Sequence, residues 1–288
     1  MGSSWATTVP ILATLIVIVL VPVGMIFRQS LAPNPFASDA ASVSIQNYRT
    51  LFSISVYREA MWRTIWISVL VAALAVALGF VTTLALTAFR SNARSRDSTP
   101  VTLLLAPVFA GSIVLVLGWL GLLAKGGVAY SMVNAIRALL GQPEGRVIQT
   151  NIAIILGLLQ FVVPFVVLIF YPLLNRLPVE LYEAGLVLGD TPSKVIRRVI
   201  LPLAAPGILS AGIVALSVSV AAYVTPQVLG GDRNLVLTTL ITQLLASLSP
   251  TTAAAGAVVL GVVGLVTVAV YSLLVGRVQD RGLPANAP

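Results

Sequence analysis

Long runs without a charged residue are the feature that most constrains the fold of this chain. Six windows of roughly 20 residues or more contain no Asp, Glu, Lys or Arg. The windows are 9–27, 64–89, 101–124, 151–174, 203–225 and 253–276. In lipid a chain must satisfy its backbone hydrogen bonds internally, and an α-helix of this length does so while it crosses a bilayer. The sequence therefore predicts an all-α polytopic membrane protein with a six-helix transmembrane core.

The composition narrows the class of protein further. Only 9% of the 288 residues are charged and 58% are hydrophobic, whereas a soluble domain carries about 25% charged residues. A soluble enzyme, a disordered chain and a nucleic-acid binder are therefore disfavoured. The chain has no Cys and no His, which excludes thiolate and imidazole catalysis and the commonest zinc and haem sites. We expect no catalytic residue, no metal site and no cofactor in this chain.

The basic residues indicate how the predicted helices are oriented. The 17 Lys and Arg lie between the apolar windows, and Arg90, Arg94 and Arg96 share one short connection. That cluster favours the cytoplasmic side and places both termini inside. The window 9–27 is longer than a typical signal-peptide core and no basic residue precedes it, so we interpret it as an uncleaved anchor. The whole chain, 1–288, is predicted to be a single transmembrane domain.

Two segments between the windows are amphipathic rather than uniformly apolar. Apolar residues recur at helical spacing in 128–140 and in 235–248, where they face away from Thr238, Thr242 and Ser249, which predicts helices at the membrane interface. Two interpretations stay open for them. The helices form an outer gate or docking platform, or they only brace the helix bundle.

The polar segment 177–202 has the start and stop signals of two short helices. Pro178 suits a first helical turn, and Gly189 suits the left-handed conformation that ends a helix. Thr191 is a candidate N-cap with Pro192 at the first helical position of the next helix. A folded helix pair just outside the membrane indicates a docking element.

This segment also resembles the EAA loop of ABC importer permeases. The family pattern is Glu-Ala-Ala, three residues, Gly, nine residues, and Ile-x-Leu-Pro. The residues at the positions of this pattern, with the spacing intact, are Glu183, Ala184, Gly185, Gly189, Leu201 and Pro202. Two positions depart from the pattern, because Gly185 replaces the second Ala and Val199 replaces Ile. The resemblance implies that the helix around Glu183 enters a cleft of an ATPase and couples it to the membrane helices.

The resemblance extends over nearly the whole chain. The run YVTPQVLGG at 223–231 is similar to the segment after the fifth helix in spermidine/putrescine-type permease subunits. It implies a bacterial inner-membrane complex of two permease subunits, identical or paralogous, two cytoplasmic ATPase subunits and an extracytoplasmic solute-binding protein. The chain has no G-x-x-x-x-G-K-[ST] loop, so ATP and Mg²⁺ are expected on the ATPase.

The solute pathway is less well defined by the sequence. Trp119, Gln160 and Tyr223 are the polar or aromatic side chains that we expect along it, although helix-to-helix hydrogen bonding or interfacial anchoring explains them equally. The windows contain no Asp, Glu, Lys or Arg, which disfavours a proton-coupled carrier. The resemblance favours a polyamine-type solute, with an opine or an aminophosphonate as the alternative. A channel or a membrane scaffold has no need of an EAA-type loop.

Overall fold

The computed structural model describes residues 4–33, 43–91 and 111–282 of the chain, and these residues contain no β-strand. The helices are α1 (Ser4–Ser30), α2 (Gln46–Ser53), α3 (Ser55–Ser91), α4 (Ser112–Leu123), α5 (Val128–Leu139), α6 (Asn151–Leu174), α7 (Val179–Val187), α8 (Pro192–Leu203), α9 (Ala205–Ala221), α10 (Leu237–Ala246) and α11 (Pro250–Gly282). A π-helical turn, Ile196–Ile200, interrupts α8, and a second, Pro226–Gly230, follows α9. The prediction of an all-α fold is confirmed.

Among the described residues, three helices are long and apolar enough to cross a membrane. They are Ser55–Thr87 within α3, Asn151–Leu174 and Pro250–Gly276 within α11. They correspond to the second, fourth and sixth charge-free windows. The 24 residues of α6 extend over about 36 Å, which exceeds the hydrocarbon thickness of a bilayer.

The third and fifth windows lie in bent helix pairs. The pair α4 and α5 bends by 53°, and the pair α8 and α9 bends by 71°. Pro206 lies in the first turn of α9, beside this second bend, where its missing N–H removes no helical hydrogen bond. The first window lies in α1, whose side chains from Ile16 to Phe27 are exposed. Residues 101–110, like Arg94 and Arg96, lie outside the described residues.

Both amphipathic segments are helices, and α10 buries Leu237, Leu240 and Leu244 of the predicted apolar face but departs from the pattern at two positions. α5 ends at Leu139 and is followed by Gly141 with φ +68°, as its sequence indicates. In α10, Thr238 is buried and Leu245 is exposed, although the sequence pattern placed threonines on the opposite face from leucines. The carbonyl of Thr238 accepts a hydrogen bond from the hydroxyl of Thr242 at 3.1 Å.

The chain separates into two compact units, and α3 and α11 each contribute residues to both. The first unit contains residues 1–63 and 236–263. Its polar centre is the buried Asn47, whose amide nitrogen donates to the carbonyls of Ser30 at 3.0 Å and Ala32 at 2.9 Å. Its amide oxygen accepts from the hydroxyl of Thr252 at 3.2 Å. One side chain thus ties α2 to the end of α1 and to the start of α11.

The second unit contains residues 64–235 and 264–288 and is organised around α6. Val162, Val166 and Phe170 of that helix are fully buried. Phe170 meets Phe80 of α3 edge to face, with ring centroids 5.4 Å apart. The division into two units does not test the prediction of a single transmembrane domain, which stays a prediction.

Glycines let the helices of the second unit approach closely. A Cβ at Gly79 of α3 would overlap Val166 of α6, and a Cβ at Gly212 of α9 would overlap Tyr271 of α11. The hydroxyl of Tyr271 lies over Gly212 and donates to the carbonyl of Ile208 at 2.7 Å. Small residues of this kind are the usual contacts between helices in lipid, where apolar surfaces gain little from leaving water.

Replacing Gly212 with Ala is expected to destabilise the protein, because the added methyl group occupies the position of the Tyr271 ring. Overpacking of this kind costs roughly 1–3 kcal/mol. Thermal unfolding in detergent measures the loss as a lower midpoint. Gly261→Ala in α11 is the matched control, since a Cβ there meets open space. Equal midpoints for the two variants would contradict the close contact of α9 with α11.

Candidate functional site

The segment that resembles the EAA loop folds as two helices joined by a tight turn. α7 covers Val179–Val187, and Gly189 follows it with φ +86°, the left-handed conformation predicted from its position. Thr191 precedes α8 and Pro192 is its first residue, also as predicted. The prediction for Pro178 is wrong, because its ψ of 133° is extended and the helix begins one residue later. A proline fixes φ but not ψ, so it fits the residue before a helix as well as the first turn.

The two helices of this pair pack through Gly185. A Cβ at Gly185 would lie 2.7 Å from Cγ2 of Val195, a fully buried residue in α8. Glycine replaces the second Ala of the family pattern here, and it permits a close contact with Val195 that a Cβ would obstruct. Val195 is a residue that the sequence interpretation missed, because no pattern in the sequence pairs it with Gly185.

The charged residues of the pair lie on its surface. Glu183 is exposed, as is Ala184, and Glu183 has no ion pair within the described part of the chain. Arg198 approaches Asp190 at 3.4 Å, with the two side chains 68% and 31% exposed. An ion pair this exposed contributes about 0–1 kcal/mol to stability. The carboxylate of Glu183 therefore faces solvent on the outer side of the pair.

The end of α8 is anchored in the second unit. Ile200 and Ala204 form a buried cluster with Leu174 at the end of α6. Phe80 and Leu84 of α3 pack against the same cluster. Leu201 and Pro202, the last residues of the EAA-like pattern, are exposed. Side-chain packing therefore continues from Gly185 through α8 to α6 and α3.

Two of the three predicted pathway residues are in direct contact. The indole N–H of Trp119 in α4 donates a hydrogen bond to Oε1 of Gln160 in α6, and both side chains are half-buried. Trp119 also packs against a buried cluster that contains Val116, Ala153 and Leu229.

Tyr223 is not among the contacts of that hydrogen-bonded pair. It precedes the π-helical turn and is 39% exposed, while its neighbour Val224 packs against the cluster that Trp119 also contacts. The turn is held by Asn234, whose amide nitrogen donates to the carbonyl of Gln149 at 2.5 Å, and by the Gln149 N–H, which donates to Leu229. Gln149 has φ +60°, unusual for a residue with a side chain. The sequence interpretation missed this contact, which joins residues 85 positions apart.

The fold and the two sites define the class of protein: a polytopic helical membrane protein with a surface-exposed helix pair packed onto its spanning helices. Residues 99–280 match the family described as binding-protein-dependent transport system inner membrane component. The chain belongs to this family, and it is the permease component of an ABC importer. The predicted membership of the EAA-loop permeases is confirmed.

Curated relatives are also permease proteins of transport systems, but their names give different solutes. The spermidine/putrescine transport system permease protein PotB of Haemophilus influenzae is 26% identical over 234 residues, covering 80% of this chain and 79% of that protein. The trehalose transport system permease protein SugB of Mycobacterium tuberculosis is 28% identical over 218 residues, covering 74% and 72%.

Solved structures share the fold. A chain of a bacterial alginate ABC transporter, crystallised in complex with an alginate pentasaccharide-bound periplasmic protein, matches with a TM-score of 0.72 at 18% identity. The match covers 96% of this chain and 94% of that one. A second structure, of a bacterial ABC transporter involved in the import of alginate, has a TM-score of 0.67 at 20% identity.

The contact of Gly185 with Val195 predicts a compensating pair of substitutions. Gly185→Ala restores the family residue but forces Val195 to shift, and we expect a loss of roughly 1–3 kcal/mol in stability. In Gly185→Ala/Val195→Ala the two methyl groups that obstruct the new Cβ are absent, so the two changes compensate each other in part. A double-mutant cycle from thermal unfolding measures this coupling. Additive effects of the two changes would show that the helices do not pack through this position.

Proposed function

We propose that this permease subunit carries a small organic solute across the bacterial inner membrane by ATP-driven alternating access. The solute comes from an extracytoplasmic binding protein, and two ATPase subunits on the cytoplasmic side supply the energy. A second permease subunit, identical or paralogous, completes the pathway. The observation that carries the proposal is the exposed helix pair, α7 and α8, packed onto the ends of α6 and α3.

The geometry of the helix pair supports a coupling role. Glu183 and Ala184 are exposed on the outer surface of α7, where a partner's cleft can receive them. Behind them Gly185 holds α7 against α8, and Ile200 holds α8 against the spanning helices. A displacement of α7 by an ATPase would therefore reach α6 through packed side chains rather than through a flexible loop.

The chain itself lacks the means to use ATP. It contains no phosphate-binding loop of the G-x-x-x-x-G-K-[ST] type, so ATP and Mg²⁺ are assigned to the ATPase subunits. In this proposal the chain is not an enzyme but the element that responds to closure of the ATPase pair.

Two classes of solute are candidates. A polyamine is the first, because of the similarity to PotB. The second is an oxygen-bearing solute such as an opine, an aminophosphonate or a sugar, since a trehalose permease is similar to a comparable degree. Trp119, Gln160 and Tyr223 are proposed to line the path of either solute. None of them is a carboxylate, so for a polyamine other groups would have to balance the positive charge.

The orientation is tested by single Cys reporters, which the absence of native Cys makes straightforward. We propose that both termini and Glu183 face the cytoplasm and that Asp232 faces outward. Glu183→Cys should react with an impermeant maleimide only in inverted vesicles, and Asp232→Cys only in intact spheroplasts. Labelling of both from the same side would contradict this orientation.

The coupling role is tested by reversing the charge of Glu183. Glu183→Arg should insert normally, because the side chain is exposed and has no ion pair or hydrogen bond within the described residues, but it should lower ATP-dependent uptake at least tenfold. Glu180→Arg, three residues earlier on α7, is the control and should retain uptake. Wild-type uptake by Glu183→Arg at equal expression would remove the assigned role of this residue.

A further inference from the structure

The hydrogen bond between Trp119 and Gln160 has a defined polarity. An indole nitrogen only donates, so the side-chain amide of Gln160 must present its oxygen to Trp119. The amide cannot turn over, because its NH₂ group would then face another donor. The orientation of the Gln160 amide is therefore fixed by its neighbour.

The NH₂ group of the Gln160 amide is not engaged by Trp119. Within the described part of the chain, Nε2 of Gln160 has no hydrogen-bond partner, and this nitrogen is not fully buried. Gln160 and the Trp119 ring are both half-buried rather than enclosed. The pair thus leaves the two N–H donors of the amide and part of the aromatic ring accessible.

From this arrangement we propose that Nε2 of Gln160 donates a hydrogen bond to an oxygen acceptor of the solute, a hydroxyl, carboxylate or phosphonate oxygen. Trp119 is the positioning residue that holds the amide in this orientation. The inference rests on the proposed function, which brings the solute past α4 and α6. Of the two solute classes, it selects the oxygen-bearing one for this chain.

Donor and acceptor chemistry explains why a polyamine does not bind the Gln160 amide, although its ammonium groups are attracted to the face of the Trp119 ring. An ammonium group has only donors, so it would face the NH₂ group of Gln160 donor to donor. The charge-free windows supply no carboxylate to offset this. A hydroxyl or phosphonate oxygen accepts from the NH₂ group, while the apolar face of the solute packs on the indole ring.

The experiment uses Trp119 as its own reporter. In the full-length chain with Trp5, Trp62 and Trp66 replaced by Phe, reconstituted in lipid nanodiscs, Trp119 is the single tryptophan. Its emission is followed during titration with trehalose (hydroxyls only), 2-aminoethylphosphonate (phosphonate and ammonium) and putrescine (ammonium groups only). We expect a saturable change with trehalose or 2-aminoethylphosphonate, whichever supplies the oxygen, and no response that depends on Gln160 with putrescine, whose ammonium groups reach only the indole face.

Two substitutions at Gln160 separate its donor role from a merely structural one. Gln160→Met keeps the length without a donor and should weaken the response to the oxygen-bearing probe about tenfold. Gln160→Glu still accepts from Trp119 but exposes a second acceptor oxygen, so at pH 8 putrescine should now produce a larger response. Ser272→Ala in α11 is the control; the Ser272 hydroxyl donates to the carbonyl of Ala269 in its own helix, and all responses should be unchanged.

Several results would overturn the proposal. They are a response to putrescine alone in the wild-type background, no response to any of the three probes, or an unchanged response in Gln160→Met. Failure of the proposed function looks different: Trp119 would respond as expected, while ATP-dependent uptake did not depend on Glu183. Conversely, uptake that requires Glu183 without any response of Trp119 would overturn the subsite alone.

Discussion

The structure depends on one constraint, which is that every polar group inside the membrane needs a hydrogen-bond partner. The spanning segments are helical because each backbone N–H and C=O finds its partner four residues away. Their hydroxyl groups follow the same rule: Thr83, Ser217 and Ser219 donate to carbonyls of their own helices at 2.7, 2.8 and 2.7 Å. Gln160 differs, because its hydrogen bond crosses to another helix, as that of Tyr271 does, and leaves its NH₂ group open.

Close helix contacts at glycine connect the fold to the proposed mechanism. Lipid chains are as apolar as leucine, so spanning helices are held by close packing rather than by exclusion from water. Gly79 and Gly212 serve this purpose within the second unit, and Gly185 serves it in the exposed helix pair. A motion of α7 can reach α6 because these contacts leave no space to absorb it.

Much of the fold could be predicted from the charge-free windows, because their length and lack of charge leave few alternatives to a spanning helix. Gly189 and Pro192 were equally informative, since few residues adopt a left-handed turn or begin a helix so readily. The bend between α8 and α9, at the start of the fifth window, was not predicted, because membrane helices tolerate proline and Pro206 alone does not mark a bend. Nor was the burial of Thr238 in α10, since threonines that bond their own helix are as readily buried as exposed.

Only those parts of the candidate sites that depend on local sequence patterns could be predicted. The EAA-like residues are defined by spacing, and their helix pair followed from it. The partner of Gly185 and the bond between Asn234 and Gln149 depend on packing between distant segments, which spacing does not encode. The hydrogen bond of Trp119 to Gln160 joins residues 41 positions apart and has no signal in the sequence beyond two polar side chains in apolar windows.

The central claim is that α7 is the contact between this permease and an ATPase. A photo-cross-linking amino acid at Ala184, on the exposed surface of α7, tests it in intact cells, with the same amino acid at Gln142, after α5, as the comparison. The account predicts that Ala184 cross-links to a protein that mass spectrometry identifies as containing a G-x-x-x-x-G-K-[ST] loop, and that Gln142 does not. Cross-linking of Gln142 to that protein, or no cross-link between Ala184 and any such protein, would contradict the account.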